Sequence, residues 1–179
     1  MSKSIGILIK ARKYLPKDCL RTLYHTFVYP YLTYCIHVWG NTYSTYLDPI
    51  IKAQKRIVRI ITHSPYNEHT SPLFTQLKIL NLEGIYRFMI STFMYKFHAR
   101  DLPVIFMEMF RFNKNVHNYV TRKAGDCRVP NWNLEIKKRS VSVQGGITWN
   151  KIPDNIKLSV SLEVFKDSMK KHLLNSADI

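Results

Sequence analysis

Apolar positions recur along most of this chain at intervals of three and four, so the elements they predict are nearly all helical. Ile5, Leu8 and Ile9, with the stem of Arg12, open the pattern, and Pro16 ends that helix or begins the next. From Pro16 to about Trp39 runs a long aromatic-rich helical stretch. Leu20, Leu23, Tyr24, Phe27, Tyr31, Tyr34 and Val38 are its expected core positions, with Pro30 bending or breaking it. Gly40-Asn41-Thr42 turns the chain. The third helix has Asp48 as expected N-cap and Pro49 at its first position. On a helical wheel Lys52, Lys55, Arg56 and Arg59 share one arc, and Ile50, Ile57, Val58 and Ile61 lie roughly opposite.

A polar break from His63 to Ser71 precedes a helical block from about Pro72 to Phe97. Leu73, Leu77, Leu80, Ile85, Phe88, Met89 and Phe93 form its expected core face, and Asn81 and Gly84 divide it into two helices. Asp101-Leu102-Pro103 punctuates, and a short Met/Phe-rich segment to Phe112 is expected to pack back. From Asn113 to Pro153 the chain is rich in Asn, Gly and basic residues. There Ser140-Val141-Ser142-Val143 reads as a short strand and Gly145-Gly146 as a turn. A last amphipathic helix spans Ser161 to about Leu174, with Leu162, Phe165, Met169 and Leu173 on its apolar side. The expected fold is mainly α: a three-helix bundle over 1–62, a helical connector over 72–112, and a basic loop with short strands and a final helix over 113–179.

Charge decides what such a chain meets. With 27 Lys and Arg against 12 Asp and Glu, its net charge is +15. A polyanion is therefore the default partner, nucleic acid first and an anionic membrane surface second. Between Arg111 and Arg139 a second concentration sets eight basic residues against Asp126 and Glu135. Thr22 to Leu47 carries no Lys, Arg, Asp or Glu, but its Pro30, histidines, Asn41 and hydroxyls suit buried core better than a spanning helix of about 20 apolar residues. Cys19, Cys35 and Cys127 form no C-x-x-C pair and are odd in number, which points to a reducing compartment rather than a disulfide scaffold. The N-terminus lacks a signal-peptide layout, since Lys10, Arg12 and Lys13 interrupt its apolar run.

Candidate chemistry is sparse. Metal-dependent polymerases and nucleases need clustered carboxylates, whereas the acids here are scattered, with no adjacent pair and no Asp-x-Asp. Cys35-x-His37 and His63/His69 are the nearest approaches to a zinc site and lack partner pairs at normal spacing. No glycine-rich phosphate loop is present. Cys19 and Cys35, among apolar positions, read as buried inert thiols. The sequence thus assigns no catalytic residue, no metal ligand and no cofactor. The aromatics between Tyr24 and Tyr46 have the surfaces to stack bases, but their helical spacing favours core packing. Tyr43 and Tyr46, beside the turn, are the better stacking candidates.

The string Tyr29-Pro-Tyr-Leu-Thr-Tyr-Cys-Ile-His-Val-Trp-Gly-Asn41, followed by Gln54-Lys-Arg-Ile-Val-Arg-Ile-Ile-Thr62, resembles the region just after the catalytic palm of non-LTR (LINE-type) retrotransposon reverse transcriptases. The resemblance continues in order through His69-Thr-Ser-Pro-Leu-Phe74, Phe93-Met-Tyr-Lys-Phe97, Leu102-Pro103, His117-Asn-Tyr-Val-Thr-Arg122, Gln144-Gly-Gly-Ile-Thr-Trp-Asn-Lys-Ile-Pro153 and Ser161-Leu-Glu-Val-Phe-Lys166. It implies a thumb subdomain over about residues 1–62, then the element's C-terminal region. The family's palm, with its aromatic-x-Asp-Asp motif, has no counterpart in this chain, nor does the cysteine–histidine knuckle of some relatives. Met1 is accordingly expected to start a truncated or degenerate reading frame. A thumb grips a template–primer duplex through its backbone, so an RNA–DNA or DNA duplex is the expected partner. Lys52, Lys55, Arg56 and Arg59 would hold its phosphates, with Lys10, Lys13, Arg21, Arg122 and Lys123 as further contacts. Apolar surface that a palm would cover makes self-association, or a partner protein, the alternative. The resemblance places the chain inside the cell, in the nucleus if it behaves like the parent element.

Overall fold

Proline and a switch of helical register break the first third into more pieces than its hydrophobic pattern predicts. In the computed structural model, which describes residues 1–113 and 125–176, α1 (Ser2–Ala11) leads into α2 (Lys17–Phe27), α3 (Tyr29–Thr33) and α4 (Ile36–Trp39). Pro30 has no N–H to continue α2, and the break falls at Val28, leaving the proline in the first turn of α3. A second break follows at Cys35, whose φ of 49° is left-handed. The buried face then steps by fours through Leu20, Tyr24, Val28, Leu32 and Ile36. Tyr31, Tyr34 and Val38, expected in the core, are exposed instead, because each break rotates the following helix relative to one continuous wheel; Phe27, also expected there, is exposed at the end of α2. Ile9 is likewise exposed, whereas Ile5 and Leu8 are buried as expected.

α5 (Ser44–Thr62) begins well before the expected Asp48 start and carries Pro49 in its interior. Asp48 is therefore no N-cap; one helical turn before Lys52, it forms an ion pair with that residue. α5 ends where His63 adopts φ 57° and lets the Ser64 N–H reach back to the Arg59 carbonyl at 3.0 Å. The block after it divides as expected, into α6 (Ser71–Leu77) and α7 (Leu82–His98). The Asn81 carboxamide accepts the Gly84 N–H at 2.7 Å, an N-cap interaction.

Beyond α7, β1 (Arg111–Phe112) pairs antiparallel with β2 (Cys127–Arg128). Then follow α8 (Glu135–Lys138), α9 (Val141–Lys151), α10 (Asp154–Lys157) and α11 (Leu162–Ser176). The strand expected at Ser140–Val143 is in fact the start of α9, with Ser140 as its N-cap residue. Four alternating residues cannot outweigh a helical face that continues through buried Val143, Gly146 and Trp149. Gly145-Gly146 accordingly lies within that helix and makes no turn; a Cβ on Gly145 would come within 2.8 Å of Met94 Sδ and the Phe110 ring. The molecule is mainly helical, its one sheet among the described residues having two strands.

Two compact units share the chain, one of Met1–Tyr86 with Lys171–Ile179 and one of Arg87–Lys170. In the first, α1, α2 and α5 pack pairwise around Leu8, Leu20, Tyr24, Ile57, Val58 and Ile61, and α6 packs on α5. The second is held by rings: Tyr95 stacks on Phe165 at 4.5 Å between centroids, His98 on Trp149 at 4.3 Å, and Phe97 meets Phe110 edge-on at 5.0 Å. The Asn150 carboxamide makes two hydrogen bonds to the backbone of Cys127, both 2.9 Å, and so ties α9 to β2. No described helix is long and apolar enough to cross a membrane.

Candidate nucleic-acid interface

The basic arc of α5 depends on what holds the opposite face inward. Ile57, Val58, Ile61 and Gln54 are buried to 1% exposure or less, and Gln54 is the polar one. Its Nε2 donates to the Tyr24 hydroxyl at 2.9 Å and to the Leu80 carbonyl at 3.0 Å, joining α5 to α2 and to the segment before α7. Burial pushes the Tyr24 hydroxyl well above the usual tyrosine range, with the Gln54 hydrogen bond acting the other way and Tyr29 adding to the rise. A buried polar side chain with two directional bonds fixes the rotation of a helix more sharply than aliphatic contacts do. With Gln54 inward, Lys52 stands about 160° away around the wheel, toward solvent.

Lys52, Lys55 and Arg56 are exposed and Arg59 is half-buried, so α5 displays all four cations on one side. Their environments differ. Lys52 Nζ lies 2.9 Å from Asp48 Oδ2, a solvent-exposed pair that offsets part of the arc's charge. Lys55 and Arg56 meet no carboxylate among the described residues. Arg59 is ordered by the loop after α5: its Nε donates to the Glu68 carbonyl at 2.9 Å, and its guanidinium sits 5.8 Å from the ring centroid of Tyr66. Tyr66 was not singled out by the sequence; an aromatic within the polar break from His63 to Ser71 was the available signal.

The flanking candidates are less united. Lys10 lies in the last turn of α1, which packs on α5, and Lys13 follows that helix; both are exposed. Arg21, on α2, is 3.8 Å from Asp18. Arg122 and Lys123 lie outside the described residues. In the second unit the hairpin register sets Arg111 directly opposite Arg128, both exposed. Like charges facing each other across two strands are unfavourable unless an anion lies between them.

Cys19 and Cys35 are exposed, contrary to the expectation of buried thiols: Cys19 lies one residue off the inward row of α2, and Cys35 occupies the break before α4. Cys127 is the buried thiol, 3.7 Å from His98 Nε2, and burial, with Asp126 adding to it, pushes it up to about 11. A neutral thiol of that kind is a poor nucleophile. Among the described residues no three His, Cys, Asp or Glu side chains gather where they could hold a metal ion. Beside Gln54 a cavity of about 250 Å³ is lined by apolar side chains, among them Ile51, Phe74, Ile79 and Leu82, and by polar ones such as Lys55, Thr70 and Glu83. Tyr43 and Tyr46 are both exposed, as stacking requires. No protein-family model, curated protein or solved structure matches this chain.

Proposed function

We propose that this chain is a nucleic-acid-binding module of non-LTR retrotransposon reverse transcriptase descent, corresponding to the thumb and the region after it. It grips a template–primer duplex, RNA–DNA or DNA, through the phosphates and without reading sequence. The observation that carries the reading is the solvent face of α5, where Lys52, Lys55, Arg56 and Arg59 share one side of a helix pinned by Gln54. A net charge of +15 supports it, since a field of that size draws polyanions to the chain before any contact forms. The ordered string of motifs from Tyr29 to Lys166 supports the descent. The polymerase chemistry of such elements belongs to their palm, so the role assigned to this chain is binding alone. Replacing Lys52, Lys55, Arg56 and Arg59 together with Gln tests it by fluorescence polarisation on labelled duplexes of unrelated sequence. Affinity is expected to fall alike on all of them; unchanged affinity rejects α5 as the contact.

A second reading rests on the exposed Phe27, Tyr31, Tyr34 and Val38: an interaction module that self-associates through exposed apolar side chains. Light scattering separates the two. A monomer that binds duplex supports the first, and a dimer that loses association when Tyr31 and Tyr34 become Ser supports the second.

A further inference from the structure

The loop after α5 folds back on one cation of the arc. With His63 at φ 57°, the Ser64 N–H bonds the Arg59 carbonyl at 3.0 Å, and the Thr62 and Ser64 hydroxyls, 2.8 Å apart, tie the start of the loop to the helix. Pro65 to Glu68 then close a turn, the Glu68 N–H reaching the Pro65 carbonyl at 3.2 Å. That turn brings two groups to the Arg59 side chain. The Glu68 carbonyl accepts from Nε at 2.9 Å, and the Tyr66 ring centroid lies 5.8 Å from Cζ. Arg59 is thus held by its inner nitrogen and by one face, while Nη1 and Nη2 make no hydrogen bond with any described residue. A guanidinium fixed in this way presents the fork of N–H donors that fits two phosphate oxygens. Lys52, Lys55 and Arg56 are exposed and, among the described residues, make no hydrogen bond to this loop.

We propose that Arg59 is the anchor of the α5 face, binding one backbone phosphate through Nη1 and Nη2, and that Tyr66 is its positioning residue. The inference rests on the nucleic-acid reading above and ranks the cations within it. A long side chain ordered only at the moment of binding weakens affinity roughly 2- to 10-fold. At Arg59 the loop imposes that order in the free chain. Lysine in its place keeps the charge but offers neither an Nε–H for the Glu68 carbonyl nor a planar fork for the phosphate.

The test titrates the full chain against a labelled duplex by fluorescence polarisation, with Arg59→Lys, Arg56→Lys, Tyr66→Ala and Tyr66→Phe beside wild type. Arg59→Lys is expected to lose roughly 10-fold or more, the worth of one charge-assisted hydrogen bond, while keeping the wild-type salt slope because no charge is removed. Arg56→Lys is expected to lose several-fold less. Tyr66→Ala is expected to lose roughly 2- to 10-fold, and Tyr66→Phe, which keeps the ring, to recover most of that loss. Relaxation of arginine Nε–H groups by NMR reads the positioning in the free chain. One such signal, absent from Arg59→Lys, is expected to be rigid in wild type and loosened in Tyr66→Ala. Equal losses at Arg59 and Arg56, wild-type affinity in Tyr66→Ala, or an Arg59 signal that Tyr66→Ala leaves rigid overturns the inference while leaving the basic grip intact. So do lower melting temperatures with affinity kept, which would assign the loop to capping α5 alone. If wild type does not bind the duplex, the nucleic-acid reading fails and the inference falls with it.

Discussion

Gln54 is the residue on which the orientation of α5 turns, and its replacement by Leu puts a magnitude on that role. The substitution keeps side-chain size nearly constant but removes both donated hydrogen bonds. It strands the Tyr24 hydroxyl, on a residue with no exposed surface, and the Leu80 carbonyl, on one 8% exposed. Each buried polar group left without a partner costs about 1–3 kcal/mol. The more apolar side chain returns roughly 1 kcal/mol of burial. A net loss of about 2–4 kcal/mol is expected, read as a drop of about 1–2 M in urea midpoint by far-UV circular dichroism, given m-values of about 1–3 kcal/mol/M. Removing the stranded hydroxyl as well, in Gln54→Leu/Tyr24→Phe, should restore part of the loss and make the double variant more stable than Gln54→Leu. Tyr86 is the contrast: its buried hydroxyl has no hydrogen-bond partner among the described residues, so Tyr86→Phe should be neutral or stabilising. A Gln54→Leu chain as stable as wild type, or a double variant weaker by the simple sum, would show that the two Gln54 hydrogen bonds do not hold α5 in place.

Asp48→Asn removes the carboxylate paired with Lys52 at a cost of about 0.3–0.5 kcal/mol in helix stability, and should raise affinity for nucleic acid roughly two- to five-fold at low salt; polarisation titrations showing no gain would exclude Lys52 from the contact. Gly145→Ala should destabilise by about 1–3 kcal/mol, because its Cβ would press on Met94 and Phe110, whereas Gly6→Ala, on the open side of α1, should stabilise by about 0.5–1 kcal/mol; thermal melts compare them. Cys127 and Tyr86 are pushed by burial to about 11 and about 12, from ordinary values of 9 and 10. The native state therefore holds these protons longer than the unfolded chain. Their stabilising effect is complete below pH 9 and lost as pH rises through 9–11 for the thiol and 10–12 for the phenol. Urea midpoints from about pH 8 to 10.5 should fall, and less steeply in Cys127→Ala. In the native chain at about pH 8, iodoacetamide should label Cys19 and Cys35 and spare Cys127.

How far the sequence could be read follows from where its signals are redundant. The faces of α5 and α11 were legible because long runs repeat the same spacing: Ile57, Val58 and Ile61 in one, Phe165, Met169 and Leu173 in the other. Between Pro16 and Trp39 the expected core positions follow one wheel across the bend or break expected at Pro30, and the phase slips at Val28 and Cys35 put Tyr31, Tyr34 and Val38 on the surface. Proline marked the first slip. The second depends on a left-handed backbone at a non-glycine residue, which nothing local to Cys35 announces. Pro49 misled in the other direction: it signalled a helix start that α5 passes through, and Asp48 became an ion-pair partner of Lys52. At Ser140–Val143 four residues of alternation were too few to separate a strand from a helix N-terminus. The four cations of the site were legible as an arc. The Gln54 pin was half-legible, as a polar residue on an apolar face. The Arg59–Tyr66 contact was not, since it joins a helix to a loop whose path no periodicity specifies.

Cations on α5 that neutralise phosphates make binding depend on salt. For four contacts on duplex DNA, log K should fall with log salt at a slope of roughly −3 to −4. The chain with all four residues changed to Gln should show a slope near zero from this face. A polarisation titration of a labelled duplex at several salt concentrations, wild type beside that variant, reads both. A steep wild-type slope that flattens in the variant is the predicted result. No binding, binding indifferent to salt, or a slope that the four substitutions leave unchanged would contradict the account.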